Sequence, residues 1–278
     1  YHSHYDNAGI YDWWHNLDSI KEEGYVTDLI TDHSIEFIRE HQDEPFLLYI
    51  PHESPHVPFQ SRDDTGYRYP GKEFSYLGPV EDQQTTYKEM VEIMDEGIGR
   101  VMQSLRELNL EKETFLFFCS DNGARFGSNG GLRGDKGSLW EGGHRVPAVA
   151  YWKGKIEPGR TDELAVSFDL FPTMLSITGT EQPDSLKLDG KDLSPLFFQG
   201  RDMPERTVAW RYRGQKAVRK GRWKLMMTES DTLLFDLKAD LEESNDLAGE
   251  NPGKVKQLLD EYGWWKEDVV EGVIMKTD

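Results

Sequence analysis

Thr114-Phe115-Leu116-Phe117-Phe118-Cys119-Ser120-Asp121-Asn122-Gly123 passes directly from an unbroken apolar run to an acid, an amide and a glycine. A run this short and this apolar is expected of a strand covered on both faces, as in parallel sheets. Phe46-Leu47-Leu48-Tyr49-Ile50, introduced by Pro45, and the run from Val146 to Trp152 have the same character. Between the first two lies the clearest helix, Gln83 to Leu108. In it Tyr87, Met90, Val91, Met94, Ile98, Val101, Met102, Leu105 and Leu108 recur at three- and four-residue steps. Strand, helix, strand in this order predicts an α/β domain with a mostly parallel sheet and right-handed crossovers.

Shorter helices are expected from Thr27 to about His41, with Thr27 as N-cap, and from Asp169 to Thr178. The first 24 residues, including Tyr11-Asp12-Trp13-Trp14-His15-Asn16, show no period and read as an irregular surface segment. Beyond the Gly- and Pro-bearing stretch Gly179 to Pro204 the pattern changes. Thr207–Tyr212, Gln215–Arg219, Arg222–Met227 and Thr232–Leu237 are closely spaced strand candidates, with Gly214 and Gly221 where tight hairpins need them. A helix from about Pro252 to Trp265 follows. The expected organisation is a larger α/β part over residues 1–204 and a small antiparallel sheet with a covering helix over 205–278.

The 278 residues carry a net charge of −19, which argues against general electrostatic binding to nucleic acid or anionic lipid. No apolar stretch is long enough to span a bilayer. The single cysteine, Cys119, closes an apolar run and reads as a buried structural thiol; no intramolecular disulfide is possible. An acidic protein that binds a small anion must gather its cations locally. His56, Arg133, Lys136 and Arg145 are the candidates.

Ligands of open α/β sheets bind where loops diverge from the carboxyl ends of strands. Two such loops are rich in reactive groups. Pro51-His52-Glu53-Ser54-Pro55-His56-Val57-Pro58 follows Ile50, and its prolines stiffen the backbone around His56. A rigid imidazole there suits proton transfer or anion binding, although residue chemistry alone does not choose between His52 and His56. The second loop begins at Asp121 and Asn122, whose side-chain oxygens suit a hard cation such as calcium. It continues through Gly131-Leu132-Arg133-Gly134-Asp135-Lys136-Gly137 to Glu141-Gly142-Gly143-His144-Arg145. Its glycines permit it to wrap a small ligand around Lys136. The spacing is not that of a P-loop.

Across nearly its whole length the chain resembles the type I, formylglycine-dependent sulfatases of the alkaline-phosphatase-like superfamily. The resemblance is carried by Gly24-Tyr25-Val26-Thr27-Asp28, Ser54-Pro55-His56-Val57-Pro58, Met90-Val91-Glu92-Ile93-Met94-Asp95 and Ser120-Asp121-Asn122-Gly123. It extends through Leu132-Arg133-Gly134-Asp135-Lys136-Gly137-Ser138-Leu139-Trp140-Glu141-Gly142-Gly143, Asp169-Leu170-Phe171-Pro172-Thr173, Leu234-Phe235-Asp236-Leu237 and Asn245-Asp246-Leu247-Ala248. The Ser-Leu-Trp form of the lysine loop is similar to the arylsulfatase B-like branch.

The resemblance implies an alkaline-phosphatase-like fold and the hydrolysis of a sulfate ester of a carbohydrate or aryl compound. It implies calcium held by Asp121 and Asn122, sulfate contacted by Lys136 with Arg133 nearby, and leaving-group assistance from His56. It also implies export to the periplasm or the exterior. The family nucleophile is a formylglycine made from Cys or Ser in Cys/Ser-x-Pro-x-Arg, and this motif does not occur here. Nor do the family's N-terminal Asp-Asp ligands and Gly-Lys-Trp-His segment. The expectation is a chain that starts just past them, with an incomplete sheet, poor calcium retention and no activity alone. Two alternatives are a phosphodiesterase or phosphonate hydrolase of the same superfamily, and a sulfatase-like binding protein without catalysis.

Overall fold

A computed structural model describes residues 2–6, 8–72, 75–78 and 81–270; Tyr1 and Asn7 of the expected irregular segment lie outside that set. The chain forms two compact units, Tyr1–Thr114 and Phe115–Asp278. The division expected at 204/205 falls inside the second unit.

In the first unit the aromatic N-terminal segment contains a minimal hairpin, β1 (Trp14–His15) with β2 (Asp18–Ser19). Helix α1 (Val26–Glu40) starts one residue earlier than its sequence suggests. Thr27 is not the N-cap: Tyr25 holds that position without a side-chain cap, and Thr27 is buried within the helix. The reason is packing, because Tyr25 is buried and its hydroxyl donates to the Gln60 carbonyl at 2.8 Å. Burial pushes the Tyr25 phenol up to about 12.

Helix α2 (Gln83–Glu107) is capped by Asp82, whose side chain accepts the Thr85 N–H at 3.1 Å. Its buried stripe is Thr86, Met90, Ile93, Gly97, Val101, Ser104 and Leu105, while Val91, Met94, Ile98 and Met102 are half-buried. Val101 and Leu105 meet Ile35 and Ile38 of α1, with Phe46, Leu48 and Ile50 against them.

The expectation that Phe46–Ile50 is a strand buried on both faces is not met. The segment is extended without strand pairing, and it alternates: Leu47 and Tyr49 are 69% and 80% exposed. One face lies on the helices, and no second layer covers the other among the described residues.

In the second unit β3 (Leu116–Cys119) pairs with β4 (Ala148–Tyr151), Leu116 opposite Tyr151 and Cys119 opposite Ala148. The pair is antiparallel, which corrects the crossover expected between these two strands. The connection is a glycine-rich loop with only the one-turn helix α3 (Glu141–His144), so the chain returns alongside β3 in the opposite sense. Neither strand is covered on both faces: β3 is half-buried throughout and Val149 is 56% exposed. Cys119 is likewise half-buried rather than buried, and desolvation, with Asp121 beside it, pushes its thiol up.

Helices α4 (Leu170–Thr178) and α5 (Ser194–Gln199) follow. Asp169, fully buried, receives both ends of the Arg206 guanidinium and the N–H groups of Val166 and Lys191 at 2.8 Å. Thr173, also buried, donates to the Asp169 carbonyl and accepts from the Leu193 N–H. The Asp-Leu-Phe-Pro-Thr signature is therefore a structural clasp.

The small sheet agrees with its sequence: β5 (Thr207–Tyr212), β6 (Gln215–Lys220), β7 (Trp223–Met227) and β8 (Thr232–Asp236) pair antiparallel in that order. Its first hairpin turns on Arg213 and Gly214, both at positive φ. Helix α6 (Pro252–Val270) runs past the expected Trp265 and lays Leu258 and Tyr262 on Ala209, Val218, Leu225 and Leu234. The opposite face, with Ala217, Met226 and Phe235, packs on Leu139 and Trp140. This second contact brings the sheet to the lysine-bearing loop. Among the described residues no helix is long and apolar enough to cross a membrane.

Candidate functional site

In the first unit the proline-bracketed loop is pinned from below. Ser54 Oγ donates to the Met90 carbonyl at 2.9 Å, and Val57 and Phe59 are buried against Met90. His56 is held twice, by its backbone N–H on the Glu53 carbonyl and by Nδ1 on the Val57 carbonyl, each at 2.8 Å. A carbonyl can only accept, so Nδ1 carries a proton and donates it. His52 differs. Desolvation pushes its imidazole down toward the neutral form, and its buried Nδ1 has no hydrogen-bond partner among the described residues. The structure thus separates two histidines that the sequence left level: His56 is oriented by hydrogen bonds, His52 is packed.

The other predicted residues, Asp121, Asn122, Arg133 and Lys136, all belong to the second unit. Ser120 accompanies the exit from β3, its Oγ donating to the Asn122 carbonyl at 2.9 Å. The Asn122 amide donates to the Gly123 carbonyl at 3.2 Å, which leaves its oxygen for other use. Asp121 is exposed and accepts no hydrogen bond or ion pair among the described residues.

The turn and the lysine loop are tied to one anchor. The Gly123 N–H donates to the Gly143 carbonyl at 3.0 Å, and the Gly142 N–H donates to the Arg133 carbonyl at 2.8 Å. The backbones approach so closely that a β-carbon on Gly123 would lie 1.8 Å from the Gly142 oxygen. One on Gly142 would lie 2.3 Å from the Gly134 oxygen. Asn129 ties the start of the loop, exchanging bonds with Ala124 at 2.8 and 2.9 Å. Gly134 and Gly137, both at positive φ, flank the turn that carries Lys136.

Lys136 is half-buried, and its ammonium has no hydrogen bond or ion pair among the described residues. Arg133 is committed elsewhere: its guanidinium stacks on Trp140 at 3.7 Å and donates to the Glu243 carbonyl at 2.9 Å. Arg145 leans on Glu141 at 3.5 Å.

The donors offered to a calcium ion here are one carboxylate and one amide oxygen. They fit in kind, since hard cations take oxygen, but fall short in number of the roughly six to eight that calcium prefers. The described residues contain no cluster of three or more His, Cys, Asp or Glu side chains arranged for a metal.

Sequence reasoning missed what lies beneath the loop. Lys224, 0% exposed, sits between Glu141 and Glu243, with Nζ 2.8 Å from an oxygen of each. His144 Nε2 lies 3.1 Å from the same ammonium, and Arg219 lies 3.8 Å from Glu141. Burial alone would raise the Glu141 carboxyl, but His144 and Lys224 outweigh it and hold the group well below the usual carboxylate range. The available signal was a lysine inside Trp223-Lys224-Leu225-Met226-Met227, where an apolar strand has no other use for one.

The Sulfatase family model matches residues 1–180. Arylsulfatase A of Bos taurus is 35% identical over 253 residues, covering 86% of this chain and 46% of that protein. N-acetylgalactosamine-6-sulfatase of Sus scrofa is 36% identical over 203 residues, covering 69% of this chain and 36% of that protein. The chain therefore spans less than half the length of these two relatives. Among solved structures, Ps i-CgsB in complex with k-i-k-neocarrahexaose superposes with a TM-score of 0.80 at 26% identity, over 91% of this chain and 57% of that one. The fold class read from the sequence, an alkaline-phosphatase-like α/β part with a small C-terminal antiparallel sheet, is the one these similarities support.

Proposed function

The chain belongs to the sulfatase family, and from that premise we propose that the protein hydrolyses a sulfate ester of a carbohydrate or aryl compound. The observation that carries the reading is the shared anchor of the second unit. The Asp121-Asn122 turn and the Lys136 loop are both fastened to Gly142-Gly143, while the Lys136 ammonium and the Asp121 carboxylate stay uncommitted. An uncommitted ammonium in a loop that shares its anchor with an oxygen-donor pair suits a sulfate group whose charge is shared between a fixed cation and a metal.

In this reading Lys136 contacts the sulfate oxygens, and Asp121 and Asn122 contribute to a calcium site. Calcium, when bound, supplies Lewis-acid polarisation of the sulfate. Arg133 supports the loop through Trp140 and Glu243. With Nδ1 engaged by Val57, Nε2 is the His56 ring atom that would exchange a proton with the leaving oxygen. Aryl and carbohydrate sulfates both fit, and the carbohydrate side is favoured by the sulfated-sugar name of the Sus scrofa relative and by the oligosaccharide in Ps i-CgsB. Export, to the periplasm or beyond, agrees with a calcium-using hydrolase.

The nucleophile is formylglycine generated in Cys/Ser-x-Pro-x-Arg, and this chain has no such sequence. The chain on its own is therefore inactive. The test uses the chain and its Lys136→Ala variant. Inorganic sulfate should bind the parent, bind the variant about tenfold more weakly or worse, and be preferred over phosphate. With an aryl sulfate and calcium, neither protein should turn over. Equal sulfate affinity in the two proteins defeats the site assignment, and turnover by the parent above the variant defeats the proposed inactivity.

A further inference from the structure

The buried charges beneath the lysine loop take no part in the chemistry above. Lys224 is the second residue of the apolar strand β7, fully enclosed, with Nζ 2.8 Å from Glu141 Oε1 and 2.8 Å from Glu243 Oε1. Glu243 is also 0% exposed and adopts a left-handed backbone, φ +54. Its Oε2 accepts the Glu141 N–H at 2.6 Å, and its carbonyl accepts from the Arg133 guanidinium at 2.9 Å. The Arg133 carbonyl in turn accepts the Gly142 N–H at 2.8 Å.

Both arms of the lysine loop, Arg133 before Lys136 and Glu141 after it, therefore end on Glu243, and Glu243 is held in charge balance by Lys224. The stretch between those arms contains two positive-φ glycines, Gly134 and Gly137, and its own internal bonds are one turn, Ser138 N–H and Oγ on the Asp135 carbonyl at 3.1 and 2.8 Å, among the described residues. A third attachment comes from the same sheet: the Leu139 N–H donates to Gln215 Oε1 at 2.9 Å.

A buried ion cluster is a poor device for stability alone, because well-packed apolar side chains of similar volume serve as well. It does fix direction. The Glu243 carboxylate, set by Lys224 on one oxygen, accepts the Glu141 N–H on the other, which no aliphatic side chain could do, and so fixes the residue whose backbone carbonyl holds Arg133.

We propose that Lys224 and Glu243 are positioning residues, which fix the Lys136 loop in the arrangement that receives a sulfate group. The small C-terminal sheet is then part of the anion site without touching the anion. This rests on the assignment of Lys136 as the sulfate contact.

The test compares the full chain with Lys136→Ala, Glu243→Gln and Lys224→Met. Glu243→Gln is the gentler variant, since its amide oxygen can still accept from the Glu141 N–H; circular dichroism and thermal unfolding establish which variants fold. Two quantities are read: calorimetric affinity for inorganic sulfate, and amide hydrogen exchange over residues 133–140. In folded Glu243→Gln, sulfate affinity should fall about tenfold or more. Exchange should quicken over 133–140 while α6 and the strands stay protected. Lys136→Ala should lose sulfate affinity with loop exchange unchanged. Parent-like affinity and parent-like exchange in folded Glu243→Gln overturn the positioning role. If instead Lys136→Ala binds sulfate as the parent does, it is the sulfate assignment that fails. Exchange over 133–140 then still decides whether Glu243 holds the loop.

Discussion

A β-carbon at position 142 would lie 2.3 Å from the Gly134 oxygen, 2.6 Å from the Arg133 oxygen and 2.9 Å from the Leu132 oxygen. All three are backbone atoms, which cannot swing aside as a long side chain can. Gly142→Ala is therefore expected to destabilise the second unit by about 2–3 kcal/mol, the range of overpacked cores. Denaturant unfolding measures the loss, and a change below about 0.5 kcal/mol would mean that the loop relaxes freely. The Glu-Gly-Gly tail was legible in the sequence as a signature, but its cause was not. Nothing in a run of glycines says which carbonyl will lie against which Cα until the loop is closed. Lys136 stands out in the sequence for the opposite reason, since a lone ammonium hemmed by glycines has no local packing role. His56 and His52 needed coordinates, because the His56 ring meets the Val57 carbonyl while the His52 ring is desolvated by packing.

At the level of elements, the sequence foretold α2, α4 and the four-stranded sheet well, because each is specified by its own periodicity and turn residues. It misjudged Phe46–Ile50 and the pairing of β3 with β4, where the outcome depends on neighbours that a local pattern does not contain. Lys224 in β7 lies between these cases: a charge in an apolar strand announces a buried partner without naming it. That partner gives a pH prediction. Glu141 is nearly fully buried and its folded-state carboxyl lies below the ordinary 4.5. Its contribution is accordingly complete above the ordinary value and is lost as pH falls from there toward the lower folded value. The stability of the second unit should decline on acidification below about pH 4.5, more steeply in the parent than in Glu141→Gln. Unfolding midpoints collected through that range test this; parallel slopes in the two proteins would show that Glu141 is not the group responsible.

On the scale of the molecule, a net charge of −19 is compatible with an anionic ligand only where a cation is held locally, and in the second unit that cation is Lys136, since Arg145, Arg219 and Lys224 are matched by Glu141 and Glu243. Each unit also has a core of its own. In the first, Met90 is 1% exposed among Val57, Phe59, Leu77 and Tyr87. In the second, Leu234 is 0% exposed among Val218, Leu225, Leu258 and Tyr262. Truncating either side chain leaves a cavity and should cost about 2–5 kcal/mol. Because the cores share no residue, the cost should be local, and calorimetry of the chain should resolve two transitions. Met90→Ala should lower the transition of the first unit and leave the other in place, while Leu234→Ala should do the reverse. A single transition that both substitutions shift alike would mean that the chain melts as one cooperative body. In that case the buried Lys224 cluster would stabilise residues well beyond the loop it holds.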